Sequence, residues 1–491
     1  MSTPLARQAG TAVAWKAVQV FGSKAISLAR YLVLARLLAP ADFGLFAIAL
    51  VPLDVLLSAT DFGMVPALVQ RGESDDRVHD AAWTVGLLRA AAVTACVLAA
   101  APLLAQLFAE PRATPVLRVL ALRPLIGALA SIKVAALERR LEFRRLALLE
   151  MPAAFMGAVT SVVLAPTLAV WALVAGALIG TATRVVGSYL VAPHRPRLLF
   201  DAAPARSLFR FGRWVMLTSV VAVAGDAVLR AVISRRLGAN ELGLYFLAAN
   251  LAALPNDVVS DLVVAVAFPV HARIRTDLRR AAEMFRASAI AMAAVLGPVY
   301  VLLIALAPSL VEHLLGPRWA GTESVLRLLS LAGILGISYD ATAPMLEGRG
   351  EPHKVTALHA IISVTVVLLA WPLAGVYGLS GAALAWVLAQ GIMLVACVVF
   401  ARRALSVRTL GLSRPLVAIA AAAAAGGAIA LALDQVFPGL AGFAVTVVAA
   451  GCAAAAALWL LDSRLDLGLG RDAARAFPRI AAWRRSAPRP G

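Results

Sequence analysis

Charged and polar side chains recur at helical spacing inside stretches that are otherwise apolar. Around Lys24, at 100° per residue, Lys16, Gln19, Ser23, Ser27, Arg30 and Tyr31 fall within one sector of about 140°, while Phe21, Ile26, Leu28, Leu32 and Val33 fill the other side. A second stretch sets Ser219, Asp226 and Arg230 on one face at i, i+7 and i+11. Two further stretches align acids: Asp54, Ser58 and Asp61 on one, Asn250, Asp257 and Asp261 on the other, with Asp340 inside a later apolar stretch. A charge at the centre of an inserted helix costs about 2.5–3.5 kcal/mol, so these groups must face a wet cavity or one another. The carboxylates Asp54, Asp61, Asp226, Asp257, Asp261 and Asp340 offer either ion coupling or salt bridging, and Asp226 with Arg230 is already spaced i, i+4.

The elements that must position these residues are membrane spans. The chain has 491 residues, 62% of them hydrophobic and 15% charged, with a mean hydropathy of +0.87. No soluble fold of this length hides that much apolar surface. Apolar runs long enough to cross a hydrocarbon core of roughly 30 Å recur fourteen times. They cover about 12–38, 43–69, 81–108, 116–137, 146–167, 170–192, 214–236, 243–268, 287–311, 324–346, 355–374, 379–401, 415–433 and 440–461. Lys24 and Arg30 interrupt the first run, so it reads as a retained span rather than a cleaved leader.

The formal charge of +18 belongs to topology rather than to nucleic acid. Arg and Lys cluster on alternate loops, 31 on one side of the membrane and 6 on the other, which puts both termini in the cytoplasm and requires an even number of spans.

A fifteen-residue stretch occurs twice, ARLLAPADFGLFAIA from Ala35 and SRRLGANELGLYFLA from Ser234, in a register of 199 residues. Arg36 pairs with Arg235, Leu38 with Leu237, Gly44 with Gly243 and Ala49 with Ala248. Six spans separate the copies, so both have the same orientation. The fold class expected is an all-α polytopic membrane protein of about fourteen helices, with two parallel six-helix lobes related by a pseudo-two-fold axis and two extra C-terminal helices. The divisions are an N-terminal lobe at 1–192, a cytoplasmic linker at 193–213, a second lobe at 214–403, helices 13 and 14 at 404–463, and a basic cytoplasmic tail at 464–491.

Other chemistry finds little support. There is no GxxxxGK[ST] loop for ATP, and the six histidines show no HExxH or paired-ligand spacing, so neither a metal nor a bound cofactor is expected. Cys96, Cys397 and Cys452 each lie inside a span, where they read as packing residues. The segment GALIG from Gly176 reads as close helix packing. Arg123, Lys133 and Arg327 lie near span ends and read as snorkelling cations, whereas Arg89 and Arg184 sit deeper and suit a cavity or the interface equally.

The segment LARLLAPADFGLFAIALVPLDVLLSATDFGMVPALVQR, from Leu34 to Arg71, resembles the opening helices of the polysaccharide-biosynthesis flippases. These are the Wzx-like branch of the multidrug/oligosaccharidyl-lipid/polysaccharide (MOP) exporter superfamily, which also contains the MATE transporters. The residues that carry the resemblance are the A-R-x-L-x-P-x-D-F-G-x-F turn, then D-F-G and A-L-V-Q-R. The resemblance implies a non-enzymatic transporter of the bacterial cytoplasmic (inner) membrane. Its cargo would be a polyprenyl-diphosphate-linked oligosaccharide repeat unit for O-antigen, capsule or exopolysaccharide, moved by alternating access. Lys24, Arg30 and Arg230 would then meet the diphosphate, and Ser23, Ser27, Tyr31 and Asn250 the sugars. Coupling to H+ or Na+, contact with membrane lipid and association with polysaccharide polymerase or assembly proteins follow as expectations. The alternatives are a cation-coupled multidrug antiporter of the same fold and a membrane polysaccharide polymerase or ligase.

Overall fold

The computed structural model describes residues 3–60, 76–140, 142–199, 202–273, 278–437 and 439–465, and the described residues form helices without strands. Two compact units divide the chain, Met1–Leu247 and Ala248–Gly491. This division by compactness differs from the one drawn by the repeat, because it leaves the start of the second copy with the first unit.

In the first unit, α1 (Thr3–Leu37) packs along α7 (Phe143–Leu168), and α7 packs along α8 (Val170–Val191). Helix α2 (Pro40–Ala59) lies against α9 (Ala202–Leu237), and α3 (Asp76–Leu107) holds the short helices α4 (Ala113–Leu120) and α5 (Leu122–Ala128). A third short helix, α6 (Val134–Arg139), completes that segment. Helix α10 (Ala239–Arg273) begins here and passes into the second unit, where α11 (Leu278–Ala305) packs on α12 (Thr322–Gly348) and on α14 (Ser413–Val436). Helix α13 (Pro352–Leu405) packs on α12, and α15 (Leu440–Leu465) on α14.

Ten of the described helices are long and apolar enough to cross a membrane. One of them, α13, runs 54 residues and breaks at Gly378, whose φ of 59° and ψ of −138° lie outside helical geometry, so it contains the two spans expected at 355–374 and 379–401. The polar helices α1 and α9 fall outside that set of ten. With them and the α4–α6 segment, the architecture is consistent with fourteen crossings.

Two stretches depart furthest from the sequence reading. The single span expected at 116–137 is instead three short helices. Pro124 has no N–H to return to Leu120, and the chain turns at Ala121, whose carbonyl accepts a 2.7 Å bond from Thr94 Oγ1. The second break is also closed by side chains. Ser131 N–H donates to Ser188 Oγ at 2.9 Å, Ser131 Oγ donates to the Ala192 carbonyl at 2.6 Å, and Tyr189 donates to the Leu129 carbonyl at 2.7 Å. Irregular backbone at membrane depth survives only when its polar groups find partners of this kind. The other departure is α9, which starts at Ala202 rather than near 214. Its only proline, Pro204, sits in the first turn, where a missing N–H costs nothing.

Small residues set the closest approaches. A Cβ on Gly157 would stand 2.8 Å from the Gly176 carbonyl oxygen, so α7 and α8 meet backbone to backbone through the GALIG segment. The two repeat copies also touch each other. A Cβ on Gly44 would run into the carbonyl oxygen of Ala239, and one on Gly243 into the carbonyl oxygen of Pro40. These contacts are reciprocal in the 199-residue register, since Pro40 pairs with Ala239 as Gly44 pairs with Gly243. Phe43, Ile48, Leu229, Ile233 and Leu242 are fully buried around this junction. Gly44→Ala and Gly243→Ala should each destabilise by about 1–3 kcal/mol through overpacking. The thermal midpoint of the purified protein in detergent should fall for both, and should not fall for Gly86→Ala, whose added methyl meets open space.

Candidate functional site

In the first unit a polar cavity of about 390 Å³ lies between α2 and α9, lined by Asp54 and Ser58 from one and by Asp226 and Arg230 from the other. Both helices are otherwise apolar along this contact, with Val51, Leu57, Ala222 and Val223 completing the wall. Arg230 Nη2 sits 2.8 Å from Asp226 Oδ2, an i, i+4 pair on one face of α9. Asp54 faces Arg230 across the cavity and also feels the charge of Arg123. Two carboxylates and two guanidiniums therefore share one region of the unit, and each offsets the desolvation of the others.

Aromatic rings join this cavity to α1. The guanidinium of Arg230 lies 5.8 Å from the centroid of Phe246, near the start of α10. Tyr31 of α1 meets the same ring edge-on at 6.3 Å, and the guanidinium of Arg30 lies 5.2 Å from the Tyr31 centroid. Phe43 and Phe46 contact Phe246 from α2 at 6.4 and 6.3 Å. The buried ring of Phe246 thus holds the first helix, the second helix and Arg230 in one arrangement.

Along α1, Lys24 is half-buried, and Ser27 Oγ donates to the Ser23 carbonyl at 2.9 Å. Lys16 packs over the Phe143 ring at 5.6 Å. Gln19 Oε1, Ser23 Oγ and Arg30 Nε are buried atoms that find no hydrogen-bond partner among the described residues. They fall on one side of the helix, with unspent capacity to bind a polar ligand.

The structure brings Asp54, Asp226 and Arg230 together, and reaches Tyr31 and Arg30 through Phe246. It does the same for neither Asp61 nor the Asp261 side chain, which lie outside the described residues. Asn250, Asp257 and Asp340 belong to the second unit. There the Asn256 amide donates to the Asp340 carboxylate, and Tyr300 Oη accepts from the Asn256 backbone N–H. Tyr339 and His359 form a neighbouring pair, 2.8 Å from Oη to Nε2. Arg184 is committed to Glu150 at 2.8 Å, and Arg89 donates to the Thr60 carbonyl at 3.1 Å. Among the described residues no group of His, Cys, Asp and Glu is set to hold a metal ion.

Sequence reasoning passed over Phe246 and Asn256, and it read Arg123 as an interface cation. Phe246 was within sight, because it follows Tyr245, the repeat partner of Phe46, inside the second copy. Arg123 reads as an interface cation until the break at Ala121 turns its segment. Nothing in the local pattern marks Asn256, whose role depends on Asp340 coming from a distant helix.

Ten described helices long and apolar enough to cross a membrane, with a charged cavity between two helices of the first unit, define a multi-pass membrane protein. The fold is similar to that of a solved structure of the lipid II flippase MurJ, recorded in an inward closed conformation. The match has a TM-score of 0.74, at 14% identity over 92% of this chain and 99% of that one. Residues 33–324 match the model of a family described as polysaccharide biosynthesis protein, and the chain belongs to that family. It is 30% identical to the succinoglycan biosynthesis transport protein ExoT of Rhizobium meliloti (strain 1021), over 69% of this chain and 69% of the relative. It is 24% identical to the lipopolysaccharide biosynthesis protein WzxC of Escherichia coli (strain K12), over 74% of this chain and 76% of the relative.

The Asp226–Arg230 pair is partly exposed to its cavity, so its coupling should be modest. A double-mutant cycle with Asp226→Asn and Arg230→Gln should give about 1 kcal/mol of interaction in thermal unfolding. Phe246→Ala should cost more than either single charge change, about 3–5 kcal/mol, because it leaves a void under four side chains.

Proposed function

We propose that the chain is a flippase that moves polyprenyl-diphosphate-linked oligosaccharide repeat units across the bacterial cytoplasmic membrane by alternating access. The observation that carries the reading is the charged cavity of Asp54, Asp226 and Arg230 inside a chain of the polysaccharide biosynthesis family. ExoT is named for transport in succinoglycan biosynthesis and WzxC for lipopolysaccharide biosynthesis, which brings the cargo class to surface polysaccharide. Both termini would lie in the cytoplasm, following the basic loops, and a polymerase or assembly protein would receive the product.

The diphosphate is the part of such a lipid that hydrocarbon rejects most strongly. Arg230, already stacked on Phe246, needs only to exchange Asp226 for the incoming phosphate oxygens, which offer a denser bidentate acceptor. Arg30 and Lys24 extend the cationic surface along α1, with Ser23, Ser27 and Gln19 left to take sugar hydroxyls. Once Arg230 turns to the phosphate, Asp226 and Asp54 lose a counter-charge, and a proton or Na+ taken up there would restore it. That exchange is the coupling route: binding of the anionic cargo and binding of a cation favour each other. Asp257, Asp261 and Asp340 are candidates for a second such step, and no bound cofactor is needed.

A strain lacking the gene should accumulate lipid-linked repeat units on the inner leaflet and lose the surface polymer. The wild-type chain should restore both. A Lys24→Ala/Arg30→Ala double variant, expressed at the same level, should restore less than about a tenth of the polymer, a loss of at least about 1.4 kcal/mol in transport. Full restoration by that variant would remove α1 from the binding surface.

A further inference from the structure

The second unit contains a cavity of different character. It has a volume of about 450 Å³ and an almost wholly apolar wall, built from α11, α12, the second half of α13, and α14. Its floor is made by residues such as Ala293 and Ile337, with Ser338, Thr342 and Cys397 as its few polar atoms. The cavity exists because α14 packs on α11 rather than on its chain neighbour α13, so the connection at 406–412 spans a cleft. Val398 of α13 and Leu416 of α14 line the cavity and are also 38% and 40% exposed. Val395 and Val417 beside them are 63% and 69% exposed, which is the surface of a helix pair facing hydrocarbon. The mouth therefore opens sideways into the bilayer.

One end of this cleft is basic. Phe285, Leu410 and Leu412 close the cavity at that end, and Arg286 follows Phe285. Its guanidinium approaches the connection, with Nη1 3.4 Å from where a Cβ on Gly411 would stand. Arg402, Arg403, Arg408 and Arg414 are exposed around the same end. An apolar slot open to lipid and capped by a cluster of guanidiniums matches an amphiphile with an anionic head. Its volume is of the order of one acyl chain and well short of a long polyprenyl chain.

We infer that this cleft is a binding site for a resident anionic glycerophospholipid, with one acyl chain between α13 and α14 and its phosphate at Arg286. The lipid fills a void that would otherwise cost packing energy and tethers α14 to the basic end of α11. The site does not depend on the cargo proposed above, and its occupant stays while cargo passes.

The test uses the full chain in nanodiscs of phosphatidylcholine with phosphatidylglycerol as the minor lipid, and reads retained lipid by native mass spectrometry after mild delipidation. Phosphatidylglycerol should be retained in preference to phosphatidylcholine. Arg286→Gln should lower that retention by about fivefold, the effect of one basic residue at a lipid headgroup. Ala420→Trp fills the slot from an exposed lining position, without repacking the core, and should abolish retention while the protein stays monodisperse. Equal retention of the two lipids overturns the proposal, as does retention unchanged in both variants. Displacement of phosphatidylglycerol by added polyprenyl phosphate also overturns it, because the slot would then belong to the cargo lipid.

Discussion

Charge inside a hydrocarbon slab must be answered by opposite charge, by a ring face or by water. Arg230 is answered three ways: by Asp226 at 2.8 Å, by the Phe246 ring, and by the open cavity it shares with Asp54 and Ser58. That requirement explains why α9, which is too polar to pass as an ordinary span, packs against α2. It also explains why α10 begins with a buried aromatic pair, Tyr245 and Phe246. The same constraint makes the site suitable for an anion. A cation held by one carboxylate and one ring can be taken over by a better acceptor without becoming unpaired.

The duplication does more than repeat a helix pair. Its two turns meet through Gly44 and Gly243, each against the backbone carbonyl opposite the other, and only glycine permits that approach. Because α2 starts at one of these turns and α10 at the other, the junction fixes where Asp54 and Phe246 stand relative to Arg230. The shared residues of the repeat are thus mostly structural, and the chemistry lies a few turns further along the same helices.

Much of this was legible in the sequence because the bilayer is a simple solvent. Span length and apolarity gave the helix ends of α7, α8, α12, α14 and α15 within a few residues, and helical periodicity put Asp226 and Arg230 on one face. The broken segment at 116–137 was not legible, since its hydropathy is that of a span and its breaks depend on Thr94, Ser188 and Tyr189 reaching in from other helices. The apolar cleft of the second unit was equally hidden. It arises from α14 choosing α11 over α13, a matter of packing that no local pattern records.

In the proposed function, cations on α1 and α9 receive the diphosphate of a lipid-linked oligosaccharide. The most direct measurement reconstitutes the protein in liposomes with a fluorescent polyprenyl-diphosphate oligosaccharide and follows its exposure to a membrane-impermeant reagent. Wild type should move the lipid, and a folded Lys24→Gln/Arg30→Gln/Arg230→Gln variant should move it at least about a hundredfold more slowly, about 2.7 kcal/mol of lost stabilisation. Translocation by that variant at the wild-type rate would show that these cations do not receive the diphosphate.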